Sequence, residues 1–254
     1  MLIDGQNIEC LKIEGSKHPN WCIVMLHEGL GCVALWRDFS EQLAKATGCS
    51  VFAFSRLGYG NSDGISLPRS LDYMQREAID FLPKLIAELP EPNLVLLGHS
   101  DGGSIACVYA GSNPDARLRS LILMAPHFFV EPISVQAIEK TKAEFDTGKL
   151  SEKLRKYHGD NIDTAFWGWC NSWLHPEFRH WNIESYIPSV EVPTLLLQGW
   201  QDAYGTARQA DAFSTKANCE TTIQMLGDCG HHPFLEQQQS CLDAISEFLK
   251  DRPL

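Results

Sequence analysis

The densest chemical signal in the chain is Gly98-His99-Ser100-Asp101-Gly102-Gly103. It directly follows an apolar run, Asn93–Leu97, and precedes the small residues Ser104, Ala106, Cys107 and Ala110. This is G-x-S-x-G in a strand–turn–helix setting. A serine on so tight a turn takes a strained backbone conformation. Glycines two before and two after it remove the side chains that would clash there. The hydroxyl then stands at the carboxyl edge of a sheet, over a helix N-terminus that favours negative charge. The chemistry this suits is nucleophilic attack.

A serine hydroxyl is a poor nucleophile until a base takes its proton. Of nine histidines, those in Gly230-His231-His232-Pro233 follow the last apolar run and precede the last helical pattern. His231 is the expected base, because Gly230 lets the backbone turn it inward, whereas His232 is tied to Pro233. The tandem pair lacks Cys, Asp or Glu at ligand spacing, so no metal is expected. An acid must fix the base's tautomer. Asp202, in Gly199-Trp200-Gln201-Asp202, follows the run Thr194–Gln198 and is preferred over Asp228, which reads as a turn residue. The oxyanion needs two backbone N–H donors. Asp101, next to the nucleophile, supplies one. Gly29 in His27-Glu28-Gly29-Leu30-Gly31 is the expected second, with Glu28 and Leu30 as alternatives. As a dinucleotide site that loop fails, because the third spaced glycine is missing.

These residues need a scaffold whose loops converge. Short runs rich in Val, Ile and Leu alternate with amphipathic stretches, which predicts an α/β fold with a mostly parallel sheet flanked by helices. Expected strands are Cys22–Leu26, Val51–Ser55, Asn93–Leu97, Leu118–Met124, Thr194–Gln198 and Thr221–Leu226. They do not alternate with polar residues, as suits strands covered on both faces. Leu71, Met74, Ala78, Leu82, Leu85 and Leu89 make one helical stripe, with Ser70 as its cap and Pro90 beyond its end. Further helices are expected over Leu35–Thr47, stopped by Gly48, and over Glu236–Leu249. Residues 127–189 break the rhythm: they are helix-like and hold Trp167, Trp169, Trp173 and Trp181, four of the seven tryptophans. The expected division is a core of 1–126 and 190–254 with a helical insertion, 127–189, folded over the sheet.

Composition bounds the rest. The chain has 254 residues, 44% hydrophobic and 21% charged, which fits a globular fold and excludes a disordered or rod-like one. The net charge of −11 argues against nucleic acid and against an anionic membrane surface as partners. Nine cysteines, an odd number without a C-x-x-C pair, suit free buried thiols in a reducing compartment. No basic start and long apolar run marks a signal peptide, and no run approaches the ~20 residues that span a bilayer, so a cytoplasmic protein is expected.

Taken together, the motifs resemble the α/β-hydrolase superfamily over nearly the whole chain. The order Ser100, Asp202, His231 matches the family's nucleophile–acid–histidine order. Leu26-His27-Glu28-Gly29 resembles its oxyanion loop, and Arg56-Leu57-Gly58-Tyr59-Gly60-Asn61-Ser62 its Arg-x-Gly-x-Gly-x-Ser loop. The insertion sits where the family carries a lid, between its sixth and seventh strands. Glu28 and Asp101 depart from the family pattern, and each brings a carboxyl group close to the oxyanion site. Serine at position 100 argues against the aspartate chemistry of epoxide hydrolases and haloalkane dehalogenases. The resemblance implies a serine hydrolase, carboxylesterase-like, cleaving a small ester or related acyl substrate without metal or organic cofactor. Phe128, Phe129, Trp167 and Trp169, with Phe166 and Trp173, are expected near an apolar acyl pocket. Carbon–carbon cleavage of a ring-cleavage product, thioester hydrolysis and a non-catalytic ligand receptor are the competing readings.

Overall fold

The computed structural model describes residues 1–250; the last four residues of the expected core segment 190–254 lie outside them. Two short strands, β1 (Leu2–Ile3) and β2 (Gln6–Asn7), pair as a separate hairpin. A seven-stranded sheet follows. It contains β3 (Cys10–Ile13), β4 (His18–Leu26), β5 (Cys49–Phe54), β6 (Asn93–His99), β7 (Leu118–Met124), β8 (Thr194–Gly199) and β9 (Thr221–Leu226). Their spatial order is β3-β5-β4-β6-β7-β8-β9. β3 runs antiparallel to β5, and every other pairing is parallel. All six expected strands are present; β3 and the hairpin, short and partly exposed, carry no long apolar run to reveal them.

Helices pack on both faces. They are α1 (Phe39–Thr47), α2 (Tyr73–Arg76), α3 (Leu82–Ala87), α4 (Asp101–Ala110), α5 (Pro132–Asp146), α6 (Lys149–His158), α7 (Ile162–Trp173), α8 (Ala207–Lys216), α9 (Pro233–Glu236) and α10 (Gln238–Lys250). Successive strand residues point to opposite faces, so one strand feeds two cores. Val24 and Leu26 of β4, with Leu94 and Leu96 of β6, meet Met74, Leu85 and Ile105. Ile23, Met25, Val95 and Leu97 from the same strands meet Phe39, Leu43 and Ile245. That double burial is why the strands read as continuous apolar runs.

Three expected helices are interrupted. The stripe Leu71–Leu89 divides into α2, a five-residue π turn (Glu77–Phe81) and α3. Pro83 has no N–H, and its ring would clash with the carbonyl one turn back, so the hydrogen-bond ladder widens just before it. Ser70 does not cap this helix: its hydroxyl donates to the Asp72 carboxylate, and Asp72 holds the cap position. Leu35–Thr47 resolves into a 3₁₀ turn (Val33–Trp36) and α1, separated by Arg37 at φ +53°, and Gly48 ends α1 at φ +72°. Glu236–Leu249 is likewise split at Gln237.

Residues 127–189 hold α5, α6 and α7, followed by two short 3₁₀ turns, Pro176–His180 and Glu184–Ser189. They leave the chain after β7 and rejoin it at β8. In chain order these are the seventh and eighth of all nine strands and the fifth and sixth of the seven in the main sheet.

At the carboxyl edge the backbones of β4, β6 and α4 touch. A Cβ on Gly102 would lie 2.1 Å from the Leu26 carbonyl oxygen, and one on Gly98 would lie 2.2 Å from the Gly102 carbonyl oxygen. Neither neighbour is a movable side chain. Gly102→Ala is therefore expected to cost more than ~2 kcal/mol and to lower Tm by at least ~5 °C, read by thermal unfolding. An unchanged Tm would contradict this packing.

Candidate active site

Ser100 sits between β6 and α4 at φ +53° and ψ −119°, a region that residues with a side chain rarely enter. Its N–H donates to the Met124 carbonyl at 2.9 Å, which ties the turn to β7. The hydroxyl lies 2.9 Å from His231 Nε2. His231 Nδ1 lies 2.9 and 2.8 Å from the two Asp202 oxygens. Three residues up to 131 positions apart thus form one hydrogen-bonded chain. Asp228, the sequence alternative, takes no part in it and holds a turn at φ +49°.

Asp202 is held by more than His231. Its Oδ1 accepts the backbone N–H of Tyr204 at 2.7 Å and of Gly205 at 3.2 Å, and its Oδ2 accepts Gln198 Nε2 at 2.8 Å. Burial pushes this carboxyl up, but the charge and hydrogen bond of His231 and the Tyr204 N–H outweigh burial and hold it well below the ordinary value. The His231 ring lies with its centroid 4.6 Å from that of Tyr204. Its backbone carbonyl accepts His99 Nε2–H at 2.6 Å. Gln198, Tyr204 and His99 are contacts that sequence reasoning missed, and no motif marks the first two.

The two expected oxyanion donors share the wall of one cavity of about 350 Å³ with Ser100 and His231. Asp101 opens α4, so its N–H has no helical carbonyl behind it. The Gly29 N–H finds no acceptor among the described residues. A Cβ on Gly29 would lie 2.2 Å from the Trp169 ring, so any side chain there would have to displace that ring.

The two carboxyl groups that depart from the family pattern have different surroundings. Asp101 accepts hydrogen bonds from the Tyr73 hydroxyl and, at 3.2 Å, from Trp173 Nε1 of α7. Burial raises its pKa, and Arg56 together with these two donors only partly offsets that. Glu28 Oε2 faces His99 Nδ1 at 3.5 Å.

Two of the six aromatic residues expected near an acyl pocket lie on this cavity. Trp169 and Trp173 line the cavity, together with Ile138, Leu150 and Leu154 of the insertion. Phe128 instead packs on Phe213, and Phe129 bridges to Asn182 beneath Arg208. Trp167 packs on Phe145 and Phe166 with Lys142 over its ring. On α7, positions 166, 169, 170 and 173 share the inward face, whereas 167 falls beside it.

Among the described residues, no group of three or more His, Cys, Asp or Glu could hold a metal, and no helix is long and apolar enough to cross a membrane.

A family profile described as alpha/beta hydrolase fold matches residues 22–147. A monoglyceride lipase homolog of monkeypox virus is 23% identical over 250 residues, covering 91% of this chain and 88% of the relative. The rat monoglyceride lipase is 28% identical over 219 residues, covering 78% and 71%. Among solved structures, an esterase from Exiguobacterium antarcticum superposes with a TM-score of 0.77 at 21% identity, covering 98% of both chains. With the sheet order and the serine turn, these matches show that the chain belongs to the α/β-hydrolase family of enzymes.

Two buried histidines set a pH dependence of stability. Burial pushes His127 down to about 3, reinforced by the neighbouring His231. Burial and the Arg56 charge hold His27 well below its ordinary value. In the unfolded chain both titrate near 6.5. Below that pH the unfolded chain takes up protons that the folded protein refuses. Stability is therefore complete above about pH 6.5 and is lost as the pH falls toward about 3. Urea unfolding between pH 7 and 5 should show a loss of roughly 1 kcal/mol per pH unit for each such ring. His127→Gln should make that slope shallower; an identical slope would mean that His127 does not remain neutral.

Proposed function

We propose that the protein is a serine hydrolase that cleaves small carboxylic esters through an acyl-enzyme, with Ser100 as nucleophile, His231 as base and Asp202 as its orienting acid. The observation that carries this reading is the continuous hydrogen-bonded chain from Asp202 through His231 to Ser100, with every link at 2.8–2.9 Å. Two contacts to the Asp202 oxygens favour the proton on His231 Nδ1, leaving Nε2 free to accept.

Ser100 Oγ attacks the ester carbonyl while its proton passes to His231 Nε2. The carbonyl oxygen becomes an oxyanion bound by the N–H groups of Gly29 and Asp101. Collapse of the tetrahedral intermediate breaks the bond to the alkoxy oxygen, which takes the proton from His231 and leaves as alcohol. Water then gives a proton to His231, attacks the acyl-enzyme carbonyl and releases the acid, and the proton returns to Ser100. Asp202 stays ionised throughout and stabilises the imidazolium. The Asp101 side chain is bonded to Tyr73 and Trp173, so its carboxyl group does not oppose the oxyanion.

Residues 127–189 act as a helical lid on a core of 1–126 and 190–254 in this reading. Support comes from Trp169, Trp173, Ile138, Leu150 and Leu154, which close the cavity over the serine. The names of the monkeypox virus and rat relatives support an ester as substrate class. All nine cysteines are free, which suits a reducing, cytoplasmic setting.

Purified protein should hydrolyse p-nitrophenyl esters and be labelled by a fluorophosphonate. Ser100→Ala should abolish labelling and lower kcat by on the order of 10⁴-fold or more. Asp202→Asn should lower it by about 10³-fold or more while leaving the fold intact. Ester turnover at a comparable rate in Ser100→Ala would defeat the reading. A thioester and a carbon–carbon substrate assayed beside the esters test the range of the site.

A further inference from the structure

We infer that His127 is a substrate-binding residue, donating its Nε2–H to a second oxygen on the leaving alcohol, so that the preferred substrates are esters of glycol-type alcohols. This rests on the acyl-enzyme reading of Ser100 and His231.

His127 follows β7 and is the first residue of the inserted segment, and its ring lies on the cavity wall only 2% exposed. Its backbone is pinned from both directions: Ser104 Oγ donates to the His127 carbonyl at 2.6 Å and accepts the His127 N–H at 3.2 Å. The Trp173 ring packs edge-on with centroids 5.0 Å apart. Behind the ring, a Cβ on Gly205 would sit 3.4 Å from Nδ1.

A ring so firmly placed ought to bond its polar atoms, yet neither does. Nδ1 is fully buried without a partner, and Nε2 has no partner among the described residues. A buried N–H left unpaired is rarer and costlier than a buried lone pair left unpaired. Hydrogen bonding therefore places the single proton on Nε2, the atom open to the cavity, and leaves Nδ1 as the silent acceptor. Burial keeps the ring neutral down to about pH 3. The site thus presents a permanent uncharged donor, suited to a neutral oxygen rather than to an ion.

Position selects the leaving side. His231 hands its proton to the departing alkoxy oxygen, so the alcohol must lie against His231. The His127 ring is 5.6 Å from the His231 ring, centroid to centroid. Rings this close can each turn an N–H, that of His231 once it has taken the serine proton, toward one of two oxygens joined by two carbons. None of the other reaction steps uses His127, so the ring has no duty in the chemistry itself.

The matched pair n-propyl butanoate and 2-hydroxyethyl butanoate differs only in a terminal CH₃ or OH. After normalisation to their alkaline hydrolysis rates, wild-type kcat/KM should favour the hydroxyethyl ester by about 10-fold. His127→Phe should bring the ratio near one, chiefly through KM, and His127→Gln, which keeps an N–H donor, should retain part of the preference. A wild-type ratio near one, or equal losses on both esters in His127→Phe, would overturn the inference. Binding is read separately in ¹⁵N-histidine-labelled Ser100→Ala protein. Saturating 2-hydroxyethyl butanoate should shift the His127 Nε2 resonance and the propyl ester should not; a proton found on Nδ1, or no shift, would also overturn it. If wild-type protein hydrolyses neither ester, the acyl-enzyme reading fails, and this titration still decides the role of His127.

Discussion

Everything at the site hangs on one close approach of main chain to main chain. The carbonyl of Leu26 in β4, the turn after β6 and the first turn of α4 meet at distances that exclude any Cβ at Gly98 and Gly102. That contact lets Ser100 hold φ +53°, and the Ser100 N–H bond to Met124 adds β7 to the same knot. The strain of a non-glycine residue in this region, of order 1–3 kcal/mol, is sustained by the surrounding sheet. The return is a hydroxyl that stands clear of its own backbone, with the N–H of Asp101 beside it.

Electrostatics around that hydroxyl are arranged by orientation more than by composition. The chain carries a net charge of −11, and two carboxyl groups lie at or beside the proposed oxyanion donors in sequence. Asp101 is held by partners from distant elements, and Glu28 lies beside a buried histidine. Tyr73 of α2 and Trp173 of α7 bind Asp101, and His99 of β6 faces Glu28. Trp173 therefore links the inserted segment directly to the residue after the serine. A helix far along the chain thus shapes the field at the proposed nucleophile.

The histidines illustrate how burial divides one residue type into several roles. His27 is locked by the Glu28 carbonyl at Nδ1 and the Arg56 N–H at Nε2, and it stiffens the loop that carries Gly29. His99 spends Nε2 on the His231 carbonyl and so fixes the strand-to-loop geometry behind the ring that contacts Ser100. His231 lies between Asp202 and Ser100. His127 is as buried as the structural rings, but its Nδ1 has no hydrogen-bond partner.

Local physics made much of this legible from the amino-acid order alone. Doubly covered strands must be apolar without alternation, so six strands of the sheet were visible, and a serine turn of this tightness requires Gly98 and Gly102. The proposed acid and base follow because loops at one sheet edge must carry them. Properties set by packing between distant segments were not legible. The π turn before Pro83, the separate N-terminal hairpin and the side-by-side positions of Trp167 and Trp169 depend on what each element meets. The same holds for the direction in which Asp101 and Glu28 point and for the missing partner of His127. A sequence fixes which groups exist and their local period, but which neighbour satisfies a buried polar atom is decided only when segments a hundred residues apart come together.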